Sequence, residues 1–435
     1  MDAVPDPPLV AERTPDAGLV PPPPAFAPAP TRRSLRRARE RERPAVPGTA
    51  VDVDVLVIGA GQAGLSAAYH LRKAGFVPVG AAGWDTAERT FVVLDASPGP
   101  GGAWQERWPG MTMADAHAVH ELPGMPLVVV DPAEPARAAV PYYFAQYEDA
   151  YGLHVQRPVV VSAVRDDGAG RLLVSSHVVD RPDEAVSWRA RGLVNASGTW
   201  RKPFWPAYPG VGVFRGRQLH ARDFVSPEAL ADGHVVVVGG GTSAVQLLLA
   251  VAEVTTTTWV TRRPPAWRDE QFTPELGRAA VALVDERTRA GLPPGSVVSV
   301  TGLPLTPAYR AGIESGVLRA RPMFSRLTAD AAVWDDVTPP PVPAADDGLD
   351  GLGGWVAGPA EVPARTILWC TGYRASLDHL APLRLRGPGG GIVMAGTQVA
   401  ADPRLQLVGY GPSASTIGAN RAGREAVQNL ERMLP

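Results

Sequence analysis

An α/β fold carrying two copies of one strand–corner–helix unit is predicted by three observations. The stretch Val53–Gly64 runs from an apolar, β-branched segment through a glycine corner into residues of helical composition. The stretch His234–Ala244 repeats that plan, and Gln406–Arg421 again passes from a strand through a Gly/Ser corner into a helix. Buried parallel strands read as continuous apolar runs joined by helices, and these segments have that pattern.

The first corner is Gly59-Ala60-Gly61-Gln62-Ala63-Gly64, a G-x-G-x-x-G between strand and helix. In that context it marks the phosphate-binding turn of a Rossmann-like dinucleotide-binding domain. Gly59 permits the turn, and Gly61 lets the backbone approach a pyrophosphate. Gly64 lets the helix pack close to the strand. Gln62 and Ala63 begin the helix whose free N–H groups face the phosphates. The next apolar strand, Phe91–Leu94, ends in Asp95-Ala96, where a carboxylate would accept a hydrogen bond from a ribose hydroxyl. The spacing from Gly64 is long, which predicts an insertion over 80–90.

The second corner, Gly239-Gly240-Gly241-Thr242-Ser243-Ala244, is G-x-G-x-x-A after the run Val235–Val238. The following strand ends in Arg262-Arg263 with no carboxylate. Two arginines suit a ribose 2′-phosphate through charge-assisted hydrogen bonds, which predicts NADPH.

Composition narrows the class. The 435 residues allow two or three domains. A net charge of −2 gives no support to nucleic-acid or membrane-surface binding. No stretch reaches the ~20 apolar residues of a membrane span. Cys370 is the sole cysteine, so neither an intramolecular disulfide nor a Cys-x-x-Cys pair can form. Residues 1–49 are rich in Pro, Ala and Arg and are expected to form a disordered tail. No apolar stretch follows Thr31-Arg32-Arg33-Ser34-Leu35 as an export signal would require, so a cytoplasmic protein is expected. Pro141–Glu148 places aromatic residues at helical spacing, read as core.

At Gly101-Gly102-Ala103-Trp104, just past the acidic strand end, the chain resembles the class B flavin-dependent monooxygenases: flavin-containing monooxygenases, Baeyer–Villiger monooxygenases and N-hydroxylases. The resemblance implies that Gly101, Gly102 and Trp104 run beside FAD. Phe214-x-Gly216-x-x-x-His220-x-x-x-Phe224 fits the superfamily signature, although Val225 departs from what usually follows. It implies that His220 governs domain movement. Many members carry an arginine and an aspartate after Pro-Gly. Here Asp115 falls one place late and the arginine is missing, leaving Asp115, His117 and His120 as candidates for lining the flavin site. Ala196-Ser197-Gly198 and Cys370-Thr371-Gly372-Tyr373 are similar to the family's two crossings between domains. The final helix, with Ser415 or Thr416 as cap, would point its positive end at the flavin.

The resemblance therefore implies two Rossmann-like domains, with an NADPH-binding domain (203–362) inserted into a sequence-discontinuous FAD-binding domain (50–198 and 363–435). Residues 338–362 are expected to be a flexible insertion in a hairpin, and 264–330 to cap the active site. The implied activity is an FAD- and NADPH-dependent monooxygenation of a small N-, S- or As-nucleophile or ketone through a flavin C4a-(hydro)peroxide. Its partners would be the small-molecule substrate and O2, with a homodimer as the candidate assembly. No metal or catalytic triad is needed, since the flavin carries the chemistry. An NADPH-dependent flavin reductase and a non-catalytic nucleotide-sensing flavoprotein stay open, whereas a dithiol reductase is excluded by the single cysteine.

Overall fold

In the computed structural model, the described residues are 50–116, 119–269, 274–295, 302–338 and 354–434. The tail 1–49, His117 and residues 339–353 of the expected insertion lie outside them.

The chain opens on β1 (Val51–Ile58), whose last four residues are fully or nearly fully buried. It passes through the corner into α1 (Gln62–Lys73), and then to β2 (Val77–Pro78) and β3 (Thr90–Leu94). The expected insertion at 80–90 is a loop with one 3-10 turn, Trp84–Thr86. After α2 (Ala136–Tyr151) come the antiparallel β4 (Val159–Asp166) and β5 (Leu172–Val178), then the long β6 (Arg181–Asn195). The first part of β6 pairs with β5 and its end runs parallel to β1. Ile58 thus lies level with Leu94 on one side and Asn195 on the other. The carboxyl ends of three strands meet at the first glycine corner, the place where open parallel sheets bind ligands.

A second sheet follows. It contains β7 (Arg217–His220), β8 (Val235–Val238) and, beyond α3 (Thr242–Ala252), β9 (Thr257–Thr261). Next in sequence are β10 (Trp267–Arg268), α4 (Pro274–Arg289), β11 (Leu303–Pro304) and α5 (Pro307–Glu314). The chain continues through β12 (Ala320–Pro322), β13 (Arg326–Leu327), β14 (Ala331–Val333), β15 (Glu361–Pro363) and β16 (Thr366–Trp369). The second sheet has the order β12-β9-β8-β16-β7, parallel throughout. β14 and β15 pair antiparallel around the insertion, so the segment does interrupt a hairpin.

One boundary is corrected. Thr366–Trp369, expected to open the second part of the first domain at 363, lies in the second sheet between β8 and β7. All four residues are fully buried, which a strand achieves only with neighbours on both edges and cover on both faces. The chain returns to the first sheet only after Gly372. There β17 (Met394–Ala395), β18 (Gln398–Val399) and β19 (Asp402–Leu407) join beside β6, and α6 (Thr416–Met433) closes the fold.

Small residues let α6 lie directly on α1. A Cβ at Gly423 would stand 2.6 Å from Ser66 Oγ, and that hydroxyl donates to the Asn420 carbonyl at 3.1 Å. The aromatic stripe of α2 is core as expected, and it also acts as a clasp. Tyr143, Tyr147 and Tyr151 donate their hydroxyls to the carbonyls of Met125, Pro123 and Gly124. Among the described residues no helix is long and apolar enough to cross a membrane.

Candidate cofactor sites and the crossings between the sheets

The two glycine corners have the same geometry. Gly59 sits at φ +96, and a Cβ there would meet the Ala196 carbonyl oxygen at 2.5 Å. Gly239 sits at φ +147, and a Cβ would meet the Cys370 carbonyl oxygen at 2.2 Å. Both first glycines are required by close approach of a neighbouring strand. The middle glycines differ in kind: Gly61 and Gly241 cap α1 and α3, and a Cβ on either would have nothing within 4 Å. Their lack of a side chain leaves open space in front of a helix N-terminus, where a pyrophosphate binds. Gly64 presses against the Gly59 carbonyl, at 1.8 Å from a notional Cβ, so α1 packs at contact distance on β1. Ala244 is fully buried in the equivalent place, while Thr242 and Ser243 begin α3 toward solvent.

Asp95 is buried at the end of β3, and its neighbours were not legible in the sequence. Its carboxylate accepts from Arg157 Nε at 3.1 Å and from the Ser97 N–H at 3.3 Å. Arg157 donates two further hydrogen bonds of 2.6 Å to Glu148. Burial pushes the Glu148 carboxyl up, and the hydrogen bond from Arg157 opposes it. A carboxylate has four lone-pair directions, so Asp95 can still accept from a ribose hydroxyl while this pair fixes its orientation. Ala96 follows, half-buried.

The Gly101-Gly102 turn lies on the first corner. Gly101, at φ +116, rests on the Pro141 ring of α2, and a Cβ at Gly102 would stand 3.0 Å from Gly61 Cα. Trp104 follows in the 3-10 turn Gly102–Glu106. Gln62 ties this region together, donating to the His120 carbonyl at 3.2 Å and to Asn420 Oδ1 of α6 at 2.9 Å. Its Oε1 is buried with no partner. Ser415 caps α6, accepting from the Gly418 N–H at 3.1 Å, as expected; Thr416 is the first helical residue.

The signature residues connect the second sheet to the crossings. Phe214 is buried beside Trp369 in one core and Phe224 in another, where Trp108 meets Phe224 edge-on at 5.6 Å. A Cβ at Gly216 would collide with the Arg365 carbonyl at 2.6 Å. His220 is fully buried. Its Nδ1 accepts from the Arg222 N–H at 3.1 Å, so Nε2 carries the proton and donates to the Gly372 carbonyl at 3.1 Å. Burial lowers its pKa, and the ring is neutral at pH 7. The two crossings pair with each other: Phe204 N–H donates to Gly372, Arg374 N–H to Lys202 and Ser376 N–H to Gly198. Thr371 donates its hydroxyl to the Phe204 carbonyl.

The remaining candidates divide. Asp115 is exposed and caps its own turn, accepting from the Thr112 hydroxyl at 2.7 Å and the Thr112 N–H at 3.1 Å. His120 is exposed and contributes its carbonyl to Gln62. Arg262 and Arg263 are exposed just after β9, and neither makes an ion pair among the described residues. Cys370 is buried and its thiol is pushed up to about 12 by burial, as a packed thiol should be.

Two open helix N-termini, an orphan acceptor at Gln62, a ribose-level carboxylate and a free arginine pair fit a flavin dinucleotide on the first corner and a phosphorylated nicotinamide dinucleotide on the second. The comparisons with known proteins agree at the level of family. The pyridine nucleotide-disulphide oxidoreductase family model matches residues 56–277. A flavin-containing monooxygenase from Stenotrophomonas maltophilia superposes with a TM-score of 0.67 at 31% identity, covering 88% of this chain and 100% of that one. The uncharacterized oxidoreductase CzcO of Bacillus velezensis is 26% identical over 184 residues, 42% of this chain and 47% of the relative. Indole-3-pyruvate monooxygenase YUCCA1 of Oryza sativa subsp. japonica is 30% identical over 206 residues, 46% of this chain and 44% of the relative. The chain thus spans less than half the length of these two relatives.

Proposed function

We propose, from the premise that this chain belongs to the class B flavin-dependent monooxygenases within the pyridine nucleotide-disulphide oxidoreductase family, that it is an FAD- and NADPH-dependent monooxygenase. It would place one O2-derived oxygen atom on a small organic substrate, a nitrogen, sulfur or arsenic nucleophile or a ketone. The observation that carries this reading is the duplicated corner: Gly61 and Gly241 both leave the front of a helix open, and only the second is followed by an unpaired arginine pair.

When bound, FAD would supply the chemistry that no side chain provides, hydride acceptance and O2 activation. The chain's own residues supply the positions. The N-termini of α1 and α3 would take the two pyrophosphates, and Asp95, fixed by Arg157, a ribose hydroxyl. Arg262 and Arg263 would hold the 2′-phosphate. The N-terminus of α6, capped by Ser415, favours negative charge in front of it. His220 holds the return strand to β7 through Gly372 and acts as a positioning residue. On this reading the nicotinamide-binding domain extends to Gly372.

The test is turnover under 18O2 with NADPH and a panel of amines, thioethers, trivalent arsenicals and ketones. A product carrying one labelled oxygen is expected. NADPH consumption that yields only H2O2 or a reduced acceptor would make the protein a flavin reductase. Purified protein that takes up no FAD would overturn the reading altogether.

A further inference from the structure

We infer that Arg107 is an oxyanion receptor at the junction of the two sheets, binding the carboxylate of an acidic substrate or a phosphate of the nicotinamide dinucleotide. This rests on the proposed function, since it names a ligand group for the same site.

Arg107 directly follows the turn that carries Trp104. Its guanidinium carbon lies 4.5 Å from the centre of the Trp200 ring and 5.3 Å from that of Trp104. Its Nε is buried without a partner, and the side chain makes no ion pair among the described residues. The adjacent carboxylate is already engaged: Glu106 Oε2 accepts from Trp200 Nε1 at 2.8 Å and from Arg222 Nη2 at 2.9 Å. The guanidinium groups of Arg107 and Arg222 both lie over Trp200, and Glu106 is hydrogen-bonded to Arg222 and not to Arg107.

Two other arginines with little exposure are matched by carboxylates, whereas Arg321, which lies over Trp334 at 3.7 Å, has only the Pro359 carbonyl and no anion among the described residues. Arg157 has Glu148 and Asp95, and Arg404 has Asp402 and Asp166. Burying a cation without an anion costs more than stacking on an indole returns. Burial accordingly lowers the pKa of Arg107, with only the Tyr373 phenol opposing. What sets Arg107 apart from Arg321 is its place between the two units, where a ligand can supply the missing anion. Location supports this: the same loop touches Gly61 at the first corner, and Trp108 packs on Phe224 of the second unit. A guanidinium that lies over two indole rings still has N–H groups for an oxyanion, and its fork suits the two-oxygen geometry of a carboxylate or phosphate. Trp104, Trp200 and Tyr373, which is stacked on Trp200 at 5.1 Å, favour an aromatic group beside that oxyanion.

The experiment titrates FAD-loaded enzyme with phenylacetate, with neutral phenylacetamide and with NADP⁺, following the flavin absorbance. It compares wild type with Arg107→Met and Arg107→Lys, whose FAD content and thermal midpoint report folding. A charged hydrogen-bonded pair predicts that wild type prefers phenylacetate over phenylacetamide by about tenfold or more. Arg107→Met should abolish the preference without weakening phenylacetamide, and Arg107→Lys should keep part of it. If instead NADP⁺ binding falls about tenfold and no carboxylate preference exists, the oxyanion is the nucleotide's phosphate. Anion binding unchanged in Arg107→Met, or a loss confined to FAD, overturns the inference. Should Arg107→Met not fold, the wild-type acid–amide comparison and Arg107→Lys decide. These are binding readouts, so they stand apart from whether labelled oxygen appears in a product.

Discussion

His220 is held by its surroundings in one protonation state and one tautomer. The Arg222 N–H occupies Nδ1 and the Gly372 carbonyl takes the Nε2 proton, while burial disfavours the imidazolium. A ring committed at both nitrogens serves geometry rather than proton transfer. His220→Ala should cost about 1–3 kcal/mol, because it empties a fully buried ring site and leaves the Arg222 N–H without its acceptor. It should also lower turnover without removing a limb from the pH profile of kcat/KM. Loss of an ionisation from that profile in the variant would make His220 a general base and refute the assignment. The arginines after β9 behave differently, being exposed and unpaired. Arg262→Ala or Arg263→Ala should raise KM for NADPH by about ten- to a hundredfold, and barely change KM for NADH. Equal effects on both dinucleotides would show that neither side chain reads the phosphate.

The strand–corner–helix elements allow packing and binding to be separated by substitution. A methyl at Gly59 would collide with the Ala196 carbonyl, and φ +96 is strained for any L side chain. A methyl at Gly61 meets no protein atom within 4 Å. Gly59→Ala should therefore destabilise the FAD-free protein, whereas Gly61→Ala should leave its unfolding midpoint close to wild type and abolish FAD uptake. If Gly61→Ala still binds FAD normally, the pyrophosphate does not lie there. Corners of this kind were legible in the sequence because their chemistry is local: three glycines within six residues, a strand before and a helix after. Partners that come from far along the chain were not. Arg157 reaches Asp95 across 62 residues, Arg222 reaches Glu106 across 116, and His379 reaches Asn195 across 184. Sheet membership failed for the same reason. Nothing within Thr366–Trp369 says which sheet it joins, and its place between β8 and β7 follows from the tertiary fold. The signature around His220 was visible as a pattern, but what its residues touch, Arg365 for Gly216, Gly372 for His220 and Trp108 for Phe224, lies outside it.

Across the whole molecule, the two sheets are joined by two crossing segments flanked by two buried histidines. His379 donates Nε2–H to Asn195 Oδ1 at 2.7 Å at the end of β6, and Asn195 in turn donates to Ser197 Oγ at 3.1 Å. His220 fastens the other end, at Gly372. Burial lowers the His379 pKa from 6.5 to about 4, partly offset by Asp378. Below pH 6.5 the unfolded chain takes up a proton that the folded chain refuses until about pH 4. Stability must therefore fall as pH falls through that window. The slope is about 1.4 kcal/mol per pH unit for each such group, on the order of 3 kcal/mol in all for His379. His220 and His70, whose pKa values are lowered mainly by burial, add in the same direction. Urea unfolding of FAD-loaded protein at a series of pH values from about 7 to 4 measures the total slope. His379→Gln keeps a donor for Asn195 but cannot titrate, so its slope should be shallower than wild type by about one proton. The deficit should be confined to the interval between the two pKa values and vanish near pH 7. An unchanged slope in His379→Gln would mean that this histidine protonates alike in both states, and that acid does not loosen the crossing at Asn195.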